Sequence, residues 1–90
     1  MIQTQVTIIN KLGLHARAAA KFVGCASGFR SSVRTGRDGQ LVDGKSIMAV
    51  MMLAAGKGST LLIETEGEDE DEALAALVEL IESGFGEEIE

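Results

Sequence analysis

The sequence predicts a two-layer α+β fold in the order βαββαβα, with three helices covering one face of a four-stranded sheet. Three observations point there. Short β-rich stretches are bounded by turn residues, an Asp-Gly step joins two of them, and longer stretches space their apolar residues three and four apart.

Gln3–Ile9 is β-rich and partly alternating, so it reads as the first strand, and Asn10-Lys-Leu-Gly13 follows as a loop. From Ala16 to Ser27, apolar or small residues recur at 16, 19, 20, 23 and 26, which is helical spacing in an Ala-rich stretch with Gly28 as its stop. Arg30–Thr35 and Gln40–Val42 are short strands flanking Gly36-Arg-Asp-Gly39, whose Asp-Gly step favours a hairpin. Ser46 caps a short helix from Ile47 to about Leu53, because its hydroxyl can accept from an unpaired first-turn N–H. Ser59–Glu66 is the fourth strand. Asp69 to Ser83 is the clearest helix, with Leu74, Leu77, Val78 and Ile81 in one apolar stripe. Asp69 and Glu72 form a capping pair, and the acidic run Glu68–Glu72 reads as a solvated helix start at the positive dipole end. Gly84 ends this helix, and the last few residues are expected to be loose.

Ninety residues suit one domain over 1–90 and exclude an enzyme with separate substrate and cofactor domains. An apolar content of 46% excludes a disordered chain. The absence of Trp and Tyr and a net charge of −6 argue against a nucleic-acid reader. No apolar run approaches the ~20 residues of a membrane span, so membrane insertion is not expected. Cys25 is the only cysteine and reads as a small hydrophobe, and Met1–Ile9 has no export pattern, so a cytoplasmic setting is expected. The charge is split along the chain. Residues 1–63 hold all eight basic side chains and two acidic ones, whereas residues 64–90 hold twelve acidic side chains and no basic one.

His15, the only histidine, lies at or beside the N-cap of the first helix, where N–H groups lack partners and the dipole is positive. Such a site binds anions, phosphate included. Arg17 lies two residues on, and its guanidinium can grip phosphoryl oxygens in a fork. A neutral imidazole has a ring lone pair and is a nucleophile. Its phosphoryl product would meet the helix N–H groups and Arg17, which is the physical case for a phosphohistidine site. The alternative is an ordinary capping histidine. No Cys, second His or carboxylate lies at ligand spacing, so neither a metal nor a cofactor is expected. No paired acid or base stands near His15 in the chain, which disfavours a stand-alone enzyme.

Gly39-Gln-Leu-Val-Asp-Gly-Lys-Ser46 matches the P-loop pattern in full. Its first Gly falls in the hairpin turn, its Leu41 and Val42 read as strand, and the helix after it is short, so it is expected to be a decoy. The helix that follows, Ile47-Met-Ala-Val-Met-Met-Leu53, is apolar on almost every face. Either it is a buried core element, or Ile47, Met48 and Met51 form an exposed patch of the kind that marks a partner site.

Gly13-Leu-His-Ala-Arg-Ala-Ala-Ala20 together with Lys45-Ser-Ile-Met-Ala-Val-Met-Met-Leu53 resembles the HPr family, the histidine-containing phosphocarriers of the phosphoenolpyruvate-dependent phosphotransferase system. The resemblance covers nearly the whole chain. It implies an open-faced β-sandwich with four antiparallel strands in the order 1-4-2-3 and three helices on one side. It implies that His15 accepts a phosphoryl group at Nδ1 from phosphorylated enzyme I and passes it to an enzyme II A component or a regulatory homologue. Arg17 would orient the group, with the backbone of Ala16 and Arg17 binding its oxygens. Ser46 would be the target of HPr kinase/phosphorylase, and Ile47, Met48 and Met51, with Ala20 and Lys21, would dock partners. The implied protein is a stoichiometric carrier, a monomer, and not an enzyme in its own right. One departure is Ala18, where the family often has Pro. The Gly-Phe-Gly end and acidic C-terminus also resemble the nitrogen-branch regulators of the family, which do not transport sugar. A non-covalent α+β regulatory module is the reading from a different class.

Overall fold

Alternation along the strands divides the sheet into a covered and an open face. The computed structural model describes residues 1–87. Its strands are β1 (Ile2–Thr7), β2 (Ser32–Arg37), β3 (Gln40–Asp43) and β4 (Thr60–Glu66), and its helices are α1 (Ala16–Ser27), α2 (Ile47–Met51) and α3 (Glu70–Glu82). A single 3₁₀ turn, Gly84–Gly86, follows α3. All strand pairs are antiparallel, in the order β1-β4-β2-β3. β4 buries Leu61, Ile63 and Thr65, opposite Val6, Thr4 and Ile2 of β1 and beside Thr35 and Val33 of β2. One core joins this face to Ala18, Ala19, Phe22 and Ala26 of α1, Val50 of α2, and Leu77 and Ile81 of α3. An antiparallel sheet can leave its other face to solvent, and this one does.

The Asp-Gly step forms the expected hairpin. Asp38 and Gly39 both have positive φ, 54° and 82°, and Arg37 pairs with Gln40 across a two-residue turn. A type I′ turn needs this at both central positions, which is why Asp-Gly favours it. The rest of the P-loop-like segment is then an antiparallel edge strand, and the Lys45 Nζ donates to the Phe29 carbonyl at 2.9 Å. It has no phosphate-cradling geometry.

Several expected boundaries and faces shift. β1 starts at Ile2 and ends at Thr7, although Ile8 still exchanges backbone bonds with Ser59 and Gly58. β2 lies two residues later than expected, because the Arg30 and Ser31 amides donate to the Asp69 carboxylate and not to the sheet. α2 stops at Met51, and Ala54 turns the chain with φ 52°. On α1 the buried face is 18, 19, 22 and 26, while Ala16 and Ala20 are exposed. The bulk of Phe22 sets that phase. On α3, Ala73, Leu77 and Ile81 are fully buried, with Leu74 and Val78 half-buried at the flanks. Cys25 is half-buried against the core, and burial pushes its thiol up, away from the reactive thiolate.

The expected Asp69/Glu72 capping pair does not form. Asp69 stands at the N-cap but makes no capping bond to its own helix. Its carboxylate accepts from the Ser31 hydroxyl and from the Arg30 and Ser31 amides, clamping the loop before β2 onto the start of α3. Glu70 instead accepts from the Gly67 amide at 3.1 Å. The Ser31 hydroxyl, followed by the Arg30 amide, lowers the Asp69 carboxyl to about 2. A depressed carboxylate adds stability above its unfolded pKa of ~4 and loses it as pH falls through the folded value. Asp69→Asn is therefore expected to melt below the parent at neutral pH, with the gap closing between pH ~4 and ~2. A gap that stays constant in thermal melts across that range would contradict the clamp.

The chain after Gly84 is packed against the body as far as Glu87. Gly84 and Gly86 have φ of 70°, and between them Phe85, φ 56°, tucks into the core at 1% exposure. Burial of its ring folds the chain back towards α1. Residues 88–90 lie outside the described residues.

Candidate phosphoryl-transfer site

The loop before α1 is fixed at both ends. Gly13 has φ 65°, and a Cβ on it would lie 2.6 Å from the Ala55 carbonyl oxygen, so the position needs glycine. That same carbonyl accepts from the Leu14 amide at 2.9 Å, tying the loop after α2 to the loop that carries His15. Asn10 is fully buried, and its amide donates to the Gly13 carbonyl at 2.9 Å.

His15 is the N-cap of α1, with extended φ/ψ of −75° and 179°. Its Nδ1 accepts from the Arg17 amide at 3.3 Å, and its backbone carbonyl takes the Ala19 amide. The other ring nitrogen, Nε2, sits 2.8 and 2.7 Å from the two carboxylate oxygens of Glu87. An ionised carboxylate only accepts, so Nε2 carries the proton and Nδ1 holds the lone pair. The Asn10 amide donates to the Glu87 Oε1 at 3.0 Å. The His15 hydrogen bond, then that of Asn10 and the charge of Lys21, hold the Glu87 carboxyl below its usual range, against desolvation.

His15, Ala16, Arg17 and Lys21 line one open depression with Lys11, Leu12, Gly86 and Glu87. Three basic residues thus share this depression with the His15 ring at the positive end of α1. Lys21 also donates from Nζ to the Phe85 carbonyl at 2.7 Å, which pins the tail turn. Arg17 is exposed, and among the described residues no carboxylate forms an ion pair with it.

Ser46 caps α2, its Oγ accepting from the Ala49 amide at 3.3 Å. Ile47 and Met48 are exposed at 43% and 68%, so they do form a surface patch. Met51 does not belong to its exposed part: it is half-buried against the core, while Met52 is 79% exposed. None of these residues lines the His15 depression. Ala20 is exposed on α1.

Sequence reasoning missed Glu87 and Asn10. The expectation that no acid stands beside His15 is overturned, because Glu87 reaches it from 72 residues away. The signal was the Phe between two glycines just before the terminal acids: an apolar anchor flanked by turn formers brings the next carboxylate back to the body.

Comparison with known proteins identifies the family of the chain. Residues 2–83 match the family model described as the phosphotransferase-system HPr component phosphorylation site. The phosphocarrier protein HPr of Pseudomonas aeruginosa is 69% identical over 84 residues, 92% of this chain and 93% of that protein. The crystal structure of an HPr from Thermoanaerobacter tengcongensis superposes with a TM-score of 0.93 at 49% identity, covering 98% of this chain and 99% of the other. A second structure from that organism, an HPr dimer, superposes at 0.77 with 48% identity, over 97% and 100% of the two chains. With the expected strand order, the cap histidine and these similarities together, the chain belongs to the HPr family of phosphocarriers of the phosphotransferase system.

Proposed function

We propose that residues 1–90 act as one HPr-like carrier whose His15 accepts a phosphoryl group at Nδ1 from phosphorylated enzyme I and hands it to an enzyme II A component or a regulatory homologue. The observation that carries this reading is the orientation of the ring: Nε2 is held by Glu87, while Nδ1 faces the first turn of α1. As the Nδ1–P bond forms, the donor's bond to phosphorus breaks and its electron pair returns to the donor atom. The Arg17 amide, now spent on the Nδ1 lone pair, becomes available to a phosphoryl oxygen. The Ala16 amide beside it also lacks a helical partner. Arg17 and Lys21 supply charge around the group. Ala18 is buried in the first turn and supports the helix in place of the family's common Pro.

The carrier works as a cytoplasmic monomer, without cofactor or metal and without turnover of its own. Among the described residues no helix is long and apolar enough to cross a membrane. Incubation with enzyme I and phosphoenolpyruvate should add one acid-labile phosphoryl group, seen by intact-mass measurement. No addition would favour a non-covalent regulatory module. Transfer to a sugar-specific enzyme II A, against transfer only to nitrogen-branch acceptors, separates the two carrier roles.

Ser46 is the regulatory site, phosphorylated by HPr kinase/phosphorylase. A phosphate there adds −1.5 to −2 charges, roughly, beside the Ile47 and Met48 patch that docks partners. At a helix N-terminus such charge is tolerated, so docking is blocked while the fold stays intact. Ser46→Asp should melt near the parent temperature yet receive phosphate from enzyme I more slowly. Uptake at the parental rate would contradict this regulation.

A further inference from the structure

We propose that Glu87, oriented by Asn10, is a positioning residue for His15: it holds the imidazole with its proton on Nε2 and offsets the positive charge the ring gains when Nδ1 is phosphorylated. The inference rests on the reading of His15 as the phosphoryl acceptor.

The geometry forms a relay of three residues. The Asn10 amide nitrogen serves two acceptors, the Gly13 carbonyl at 2.9 Å and the Glu87 Oε1 at 3.0 Å. Both need a donor, so the buried amide cannot be turned over without losing both bonds. Its own Oδ1 has no hydrogen-bond partner among the described residues, a cost accepted for that orientation. Glu87 in turn spans Nε2 with both carboxylate oxygens, and its side chain is only 14% exposed, against 28% for His15. The carboxylate is delivered by an anchored turn, since Phe85 is buried and its carbonyl is held by Lys21.

The chemistry gives this arrangement a task. When Nδ1 takes the phosphorus, Nε2 keeps its proton, so no proton moves and the ring becomes an imidazolium. The donor keeps the electron pair of the broken bond. On delivery the pair returns to Nδ1 and the ring is neutral again. Lys11, Arg17 and Lys21, all cationic, line the same depression as the ring, and among the described residues Glu87 is the anion in contact with it. The cations favour the phosphoryl oxygens but oppose a charged ring, and Glu87 answers the second effect. A buried carboxylate that fixes a histidine tautomer does the same for the nucleophile's base in serine hydrolases. If the Nδ1–H tautomer were populated, the nucleophilic lone pair would point at Glu87 and away from the donor.

The test compares the parent chain with Glu87→Ala, Glu87→Gln and Glu87→Asp, using proton–nitrogen NMR of the His15 ring and phosphoryl uptake from enzyme I. The parent should show the Nε2–H tautomer. Glu87→Ala and Glu87→Gln should show a mixture of tautomers and about tenfold slower uptake, the low end for loss of one opposing charge within ~4–6 Å. Glu87→Asp should recover part of both. Melting temperatures near the parent value would exclude a merely structural effect. Parental tautomer and rate in Glu87→Ala would overturn the positioning role. Failure of the parent itself to take up phosphate would instead overturn the acceptor reading on which it rests.

Discussion

His15→Asn is expected to take up no phosphoryl group from enzyme I while melting close to the parent temperature. The two outcomes separate because His15 does two jobs. Its Nδ1 accepts the Arg17 amide as an N-cap, and the same atom is the proposed nucleophile. Asn is among the best N-cap residues, so its side-chain oxygen can take over the capping bond without nucleophilicity. His15→Ala loses both. It should be equally dead but also less stable by ~0.5–2 kcal/mol, the usual cost of replacing a capping side chain by Ala. In a domain of this size that is a Tm lower by several degrees, at roughly 4–8 °C per kcal/mol. Intact-mass analysis and thermal melts of both variants provide the check. Acid-labile phosphate on either variant would place the chemistry elsewhere.

The second large effect is expected at Phe85→Ala. Phe85 is 1% exposed and belongs to the same core as Ile81 and Leu77. Truncating a buried Phe costs ~3–5 kcal/mol, through lost transfer free energy and the cavity left behind. Against the ~5–15 kcal/mol that holds a domain together, this is a large share. The Tm should fall by at least about 10 °C. The turn also carries Glu87, so phosphoryl uptake should slow as expected for Glu87→Ala even at temperatures where the variant is folded. A loss of under about 2 °C would mean that the tail detaches locally and contributes little to the core.

Features set by neighbours in the chain were legible in the sequence. The hairpin follows from Asp38-Gly39, the start of α1 from the cap position of His15, and the α2 cap from Ser46. The alternation of β4 and the apolar stripe of α3 identify their inner faces, with Ala73 taking the deepest position where Leu74 was expected. Features set by distant partners were not legible. Asp69 leaves its own helix for amides 38 and 39 residues upstream, and this also moves the start of β2. Glu87 meets His15 only because Phe85 is buried. The phase of α1 was ambiguous because alanines occupy several faces and only the packing of Phe22 chooses between them. On α2 the composition left a buried element and an exposed patch both open, and which methionine faces out depends on the early end of the helix. Met51 turns to the core and Met52 to solvent. Strand order came from the family resemblance and not from pattern, since a short antiparallel sheet of this composition allows more than one order.

The division of charge along the chain also gains a structural meaning. Lys11, Arg17 and Lys21 border the His15 depression, while the acidic run Glu70–Glu72 occupies the first turn of α3, where it suits the positive end of the helix dipole. Among the described acids Glu87 is the exception, drawn into the basic site by its anchored turn.

The most direct measurement is proton–nitrogen NMR of the chain after phosphorylation by enzyme I and phosphoenolpyruvate. The expected spectrum has phosphorus bonded to Nδ1 of His15 and the ring proton on Nε2, as the contacts with Arg17 and Glu87 require. Phosphorus on Nε2, on another residue, or nowhere on the protein would contradict the proposed transfer chemistry.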